Sequence, residues 1–470
     1  MPQQKSEQDY QCLYSCLDVQ VPLLDGTIRK YINFDNAAST PSLKFVKTKV
    51  NQFLEYYSSV HRGTGFKSQI STHAYEESRR LVMEFVGANP QEHVCIFGKN
   101  TTESINTLAH RFPFSESKNV VLVSTQEHHS NDLPWRAAAK VVHIGLKADG
   151  TLDEDDFDQK LKEYAGRLAL VSITGASNVS GYINPVHRMA EKTHKAGAQI
   201  CVDCAQLAPH REISMGRLDD PTHLDYVTIS AHKMYAPFGT GALIGKRDTF
   251  ASGEPYLRGG GEVEIVTLDE VTWSEPPDRD EAGSPNTVGA IALAAAITQL
   301  NKIGMDEVAA HEARLTRYLL ERLNRLSGIT IYGSNDPEKA ADRLGVVPIN
   351  LDGMSHYLTA AILGYEFGIG VRNGCFCAHP YLLELMGVDR NMSQQVRSQI
   401  KAQDKREIPG LVRISFGLYN TEHEIDQLIE ALEKILAGEY KGEYHQDKPS
   451  GAFLPEGWTV DYEQYFSFKD

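Results

Sequence analysis

The chain has 470 residues, enough for two or three domains of ordinary size around a large core. Hydrophobic residues make up 41% and charged residues 23%, the balance of a soluble globular protein, and no apolar run reaches the length of a membrane-spanning helix. A formal net charge of −15, from 47 basic and 62 acidic side chains, argues against a nucleic-acid surface. The N-terminal stretch Met1 to Glu7 has no apolar signal core. Seven scattered cysteines, an odd number, fit free thiols in a reducing, cytoplasmic setting rather than a disulfide framework.

Residues 1–33 read as an arm of little periodicity. Cys12 and Cys16 are spaced i, i+4, but no second pair completes a zinc site, and no metal is expected anywhere in the chain. A short strand, Tyr31 to Phe34, breaks into the small-residue turn Asp35-Asn36-Ala37-Ala38-Ser39-Thr40-Pro41. His61 and Arg62 beside Gly63 suit an anion, though a solvated loop has the same composition.

From about residue 72 to 300, helical and strand patterns alternate. The apolar runs Val94–Phe97, Val120–Val123, Leu168–Ile173, Gln199–Val202 and Tyr226–Ile229 predict strands buried on both faces, with amphipathic helices such as Ala74–Phe85 and Pro185–Lys195 between them. This is a doubly wound α/β pattern, in which ligands bind at the carboxyl ends of the strands.

Candidate residues fall at those ends. Thr101 and Thr102 follow a strand and open a helix, a place suited to phosphate or to ordinary capping. Glu127-His128-His129-Ser130-Asn131 follows the next strand; a histidine there stacks on a ring or moves a proton, and no third metal ligand is suitably spaced. Asn178 ends another strand, and Gln206 lies three residues past Asp203. Asp203 ends its strand, and Lys233 follows the next strand in Ser230-Ala231-His232-Lys233. A carboxylate and a lysine at successive strand ends suit pyridoxal 5'-phosphate (PLP): the lysine forms a Schiff base and the carboxylate keeps the pyridine nitrogen protonated. Taken alone, the pair also fits a surface lysine and a strand-end turn. Gly283-Ser284-Pro285-Asn286-Thr287 precedes the apolar helix Val288–Leu300, and Ser284 either caps it or meets a phosphate.

From residue 305 the pattern changes to a smaller α+β domain, 305–437, with a helix Val308–Leu326, a last strand Leu411–Phe416 and a closing helix over 423–436. A segment, 389–409, looks inserted, and the aromatic, acidic tail 438–470 is expected to dock on the surface. The loop Arg372-Asn373-Gly374-Cys375-Phe376-Cys377-Ala378-His379 holds two thiols near a cation, which favours the reactive thiolate; a lone C-x-C is as often structural.

Together these motifs resemble the class V aminotransferase family of fold-type I PLP enzymes, nearest to group II cysteine desulfurases and selenocysteine lyases. The resemblance covers Phe34 to about Leu432. It implies an α/β fold with a large, mostly parallel doubly wound sheet domain, 34–304, and the smaller α+β domain. It implies that Lys233 carries PLP, Asp203 pairs with the pyridine nitrogen, His129 stacks on the ring and Gln206 bonds its hydroxyl. Thr102, Ser230 and His232 would hold the phosphate, with Thr101 nearby; Ser284 would reach the partner's phosphate in a homodimer. Arg413, with Asn178, Arg372 and Arg62, would bind a small amino-acid substrate, and Cys377 would be the nucleophile that takes sulfur from cysteine and passes it to an acceptor protein.

Cys375 stands where the family has a histidine, and Asn373 where it has threonine or serine. The same site would also serve a PLP-dependent C–S β-lyase, epimerase or aminotransferase, or a sulfur carrier without turnover.

Overall fold

The computed structural model describes residues 10–469, leaving the side chains of 390–393 aside. The first nine residues of the predicted arm lie outside the described part. A seven-stranded sheet forms the centre of the larger layer. Its strands are β1 (His93–Gly98), β2 (Val120–Ser124), β3 (Lys140–Ile144), β4 (Leu168–Thr174), β5 (Gln199–Asp203), β6 (Tyr226–Ser230) and β7 (Gly241–Lys246). The order across the sheet is β1-β7-β6-β5-β4-β2-β3. β7 runs antiparallel to both neighbours, and the pairs from β6 to β3 are parallel.

Every residue of β2, β4 and β6 is buried, as their predominantly apolar runs predict. Helices α1 (Lys44–Leu54), α2 (Phe66–Phe85), α3 (Thr101–Arg111), α4 (Val186–Lys195) and α5 (Thr287–Ile303) accompany this sheet. β3 and β7 were not anticipated. β3 is only partly buried, and β7 begins and nearly ends in glycine, so its sequence reads as turn. Gly241 is required there: a Cβ would lie 2.6 Å from the Asn100 backbone, where β7 passes the start of α3.

The second core belongs to a four-stranded antiparallel sheet, with helices α6 (Met305–Leu323), α7 (His356–Phe367) and α9 (Glu422–Leu436). Its strands are β8 (Ile329–Ile331), β9 (Val346–Leu351), β10 (Arg372–Gly374) and β11 (Leu411–Ser415), in the order β8-β9-β11-β10. β10 pairs with β11 so that Arg372 stands opposite Arg413. The arm joins this layer: Ile32–Asn33 pairs in parallel with Ile369–Gly370, and Asp35 bridges to Ser415. Thr421 and Glu424 form a capping box that starts α9.

The inserted segment forms helix α8 (Arg390–Lys401). Its exit packs on the tail, with Lys405 N–H donating to Lys448 O at 2.9 Å and Gln446 Nε2 to Arg406 O at 2.9 Å. A hairpin of Val263–Val266 and Val271–Trp273 projects outward, with Ile265, Val266 and Leu268 exposed.

Candidate active site

Between the carboxyl ends of β4, β5 and β6 and the thiol loop lies a cavity of about 240 Å³. β6 ends at Ser230 and a single 3₁₀ turn, Ala231–Lys233, swings Lys233 into it. The turn is held from outside: Thr40 N–H donates to His232 O at 2.9 Å, and Tyr235 N–H donates to Thr40 Oγ1 at 2.7 Å. Burial pushes the Lys233 amine down to about 8; Asp203 opposes this and Arg413 adds to it. A lysine with so low a pKa has a nucleophilic neutral fraction near neutral pH.

Asp203 closes β5 and accepts the Ala205 N–H at 2.9 Å. Burial raises its pKa, against the pull of that N–H and of Lys233, so a further cation beside it would be stabilised. In the same cavity, α3 starts with Asn100 as its cap, the Asn100 side chain accepting from Glu103 N–H at 3.0 Å. Thr101 and Thr102 are therefore free of capping. The Thr101 hydroxyl is buried without a hydrogen-bond partner, and Thr102 Oγ1 lies 2.6 Å from Ser130 Oγ. Ser230 and His232 complete this wall. A helix start with several hydroxyls suits phosphate, and a buried carboxylate in the same cavity suits a protonated pyridine. The residues present therefore fit PLP.

Gln206 lines the same cavity and donates to Ala37 O at 2.8 Å. Asn178, Arg372, Arg413 and Cys377 form the side toward the small sheet. Arg413 is 3% exposed; its Nη1 donates to Asn178 O at 2.9 Å and its Nη2 to Asp35 Oδ1 at 3.1 Å. Cys377 is exposed and lines the cavity together with Lys233 and Arg413. Cys375 is half-buried, and burial raises its thiol.

Two expectations are corrected. His128, not His129, lines the cavity. His128 is extended and its Nδ1 accepts Ser130 N–H at 3.1 Å, which places the ring proton on Nε2. Burial, then Lys233, push His128 down to about 3, so the ring is neutral. The chain then turns at His129–Asn131, and the His129 ring stacks on His379 at 5.0 Å between centroids. Arg62 also lies outside this cavity, as does Ser284, which was expected to reach the partner's cavity rather than its own. Both line a separate groove, where Arg62 Nη2 donates to Val263 O at 3.3 Å. The cap of α5 is Asn286, not Ser284. Asp35, Ser130 and Phe376 reach the site without having been assigned a role from the sequence.

The described residues hold one cluster of metal-ligand type, His194, His223 and Asp225. The two rings stack at 4.1 Å, 17° from parallel, each Nε2 facing one Asp225 oxygen. Lone pairs in near-parallel, separated planes do not converge on one ion, so the cluster is a hydrogen-bonded staple on Asp225.

The family model for aminotransferase class-V matches residues 32–428. The chain belongs to the class-V aminotransferase family. Within it, the chain is 34% identical over 424 residues to a probable cysteine desulfurase of Halalkalibacterium halodurans, covering 88% of this chain and 95% of the relative. It is also 34% identical to a cysteine desulfurase of Haloferax volcanii, over 87% of this chain and 90% of that one. The structure of a cysteine desulfurase from Thermococcus onnurineus NA1 superposes with a TM-score of 0.75 at 34% identity, covering 87% of this chain and 95% of that chain. A cysteine desulfurase of Escherichia coli superposes with a TM-score of 0.73 at 26% identity, over 92% and 99% of the two chains. The fold-type I architecture of the class-V aminotransferases is thus the fold of this chain.

Proposed function

We propose that this protein is a PLP-dependent cysteine desulfurase that converts L-cysteine to L-alanine and holds the sulfur as a persulfide on Cys377. One observation carries the reading: a thiol, a lysine of lowered pKa and a buried arginine face one cavity. The family and the cysteine desulfurase relatives support it.

Lys233 would be the attachment point of PLP; Thr101, Thr102, Ser230 and His232 would hold its phosphate, Asp203 its ring nitrogen, Gln206 its ring hydroxyl and His128 its face. Bound PLP supplies an electron sink for the substrate α-carbon. Arg413, held by Asn178 and Asp35, binds the substrate carboxylate. Lys233 moves the α-proton. Cys377 Sγ attacks the substrate sulfur; an S–S bond forms, the C–S bond breaks, and the carbon skeleton leaves as alanine after protonation. The sulfur then passes to an acceptor thiol, in a reducing, cytoplasmic setting that suits exposed thiols such as Cys16 and Cys377.

The protein acts as a homodimer. The outlying position of Arg62 and Ser284, and the exposed apolar hairpin beside them, support a composite site. A fully active monomer in sedimentation would overturn this clause. The function itself is tested by incubating the holoenzyme with L-cysteine. Equimolar alanine and protein-bound sulfane sulfur are expected. Pyruvate with free sulfide would make it a β-lyase instead.

A further inference from the structure

Arg413 is held on its face as well as its edge. Its guanidinium carbon lies 4.7 Å from the centre of the Phe376 ring, and Phe376 is 8% exposed. Asn178 joins the two residues: its carbonyl accepts Arg413 Nη1 at 2.9 Å, and its Nδ2 donates to Phe376 O at 2.7 Å. Phe376 packs with Val179, Tyr381 and Leu411, the last of these on the strand that carries Arg413.

The backbone at this point is unusual. Phe376 has φ +52° and Cys377 has φ +54°, consecutive left-handed residues that are not glycine. Side chains seldom adopt that region unless the surroundings enforce it. The enforcing contacts are those of Phe376 and the hydrogen bond from His129 N–H to Cys377 O at 2.8 Å. One ring therefore sits against the guanidinium on one side and fixes the bend that aims the thiol on the other.

We propose that Phe376 is a positioning residue that acts through Arg413: its ring orients the guanidinium for the substrate carboxylate while its backbone presents the Cys377 thiol. Recognition of the carboxylate and presentation of the thiol are then coupled through one side chain. Leucine at this position keeps the apolar packing and loses the electron-rich face; tyrosine keeps the ring. The proposal rests on the desulfurase reading for the identity of the ligand, an α-amino acid.

The test compares two ligands that differ only in the carboxylate, L-alanine and ethylamine, titrated into holoenzyme and followed by cofactor absorbance. Phe376→Leu is expected to weaken L-alanine about tenfold. Ethylamine is expected to stay within about twofold, because it has no group for Arg413. Phe376→Tyr is expected to restore L-alanine binding, and alkylation of Cys377 by iodoacetamide is expected to change rate in Phe376→Leu alone. Equal losses for both ligands, or an L-alanine affinity in Phe376→Leu within about twofold of wild type, would overturn the proposal and leave Phe376 a packing residue. The titration needs no turnover. Failure of wild type to form alanine from cysteine would sink the functional reading while leaving this result intact.

Discussion

Asp35 and Arg413 are 378 positions apart in the chain and 3.1 Å apart in space, Asp35 Oδ1 accepting from Arg413 Nη2. The second Asp35 oxygen faces Arg372 at 3.7 Å. One carboxylate thus holds apart two arginines that the β10–β11 register sets directly opposite each other.

Removing that charge should disturb substrate binding more than chemistry. Asp35→Asn is expected to raise KM for L-cysteine about tenfold, or about 1.4 kcal/mol, with a smaller change in kcat. Steady-state alanine formation measures both. A lower KM in the variant would mean that Asp35 competes with the substrate carboxylate rather than positioning Arg413.

The two adjacent histidines should behave differently. His128→Ala is expected to weaken PLP retention about two- to tenfold, the range of one lost aromatic stacking contact. His129→Ala is expected to leave PLP binding within about twofold, since its backbone N–H still reaches Cys377 O. Dialysis of holoenzyme followed by cofactor absorbance measures the difference. The reverse ranking would restore His129 as the stacking ring.

The staple at the far end of β5 and β6 gives a stability signal that depends on pH. Burial opposes the charge on His223, but its hydrogen bonds to Asp225 and to Asp220 O outweigh this and raise its pKa. Burial likewise opposes the Asp225 charge, yet His194, His223, Ile200 N–H and Lys246 hold its carboxyl well below the usual range. A raised histidine stabilises the fold fully below its unfolded pKa and loses that contribution as pH rises through the folded value. A depressed aspartate stabilises above its unfolded pKa and loses the contribution as pH falls through the folded value. The wild-type advantage over His223→Ala in melting temperature should therefore peak in mildly acidic solution, at roughly 1–3 °C, and shrink toward alkaline pH. A constant difference across that range would show that packing, not charge, explains it.

Much of this was legible in the sequence for a physical reason. Strands buried on both faces leave runs of mostly apolar residues, and Asp203 and Lys233 follow such runs at β5 and β6. Thr101 and Thr102 were equally readable as caps; the structure frees them because Asn100, one residue earlier, does the capping. The choice between His128 and His129 was not legible, because neighbouring side chains in a bend point apart and only the turn decides which enters the cavity. Asp35 was unreadable in its present role, since its pairing with Arg413 depends on the arm bridging to Ser415. Arg62 was drawn toward the site by its motif alone, and in a single chain its loop packs against the 261–263 backbone instead.

The central claim is that Cys377 takes the sulfur. A single turnover of the holoenzyme with L-cysteine, followed by digestion and mass spectrometry under non-reducing conditions, tests it most directly. A gain of about 32 Da, one sulfur atom, is expected on the Cys377 peptide fragment that excludes Cys375, and it should disappear in Cys377→Ser while Cys375→Ser retains it. Sulfur on Cys375 in a Cys377→Ser enzyme that still forms alanine would contradict the account, as would alanine formation unaffected by the loss of either thiol.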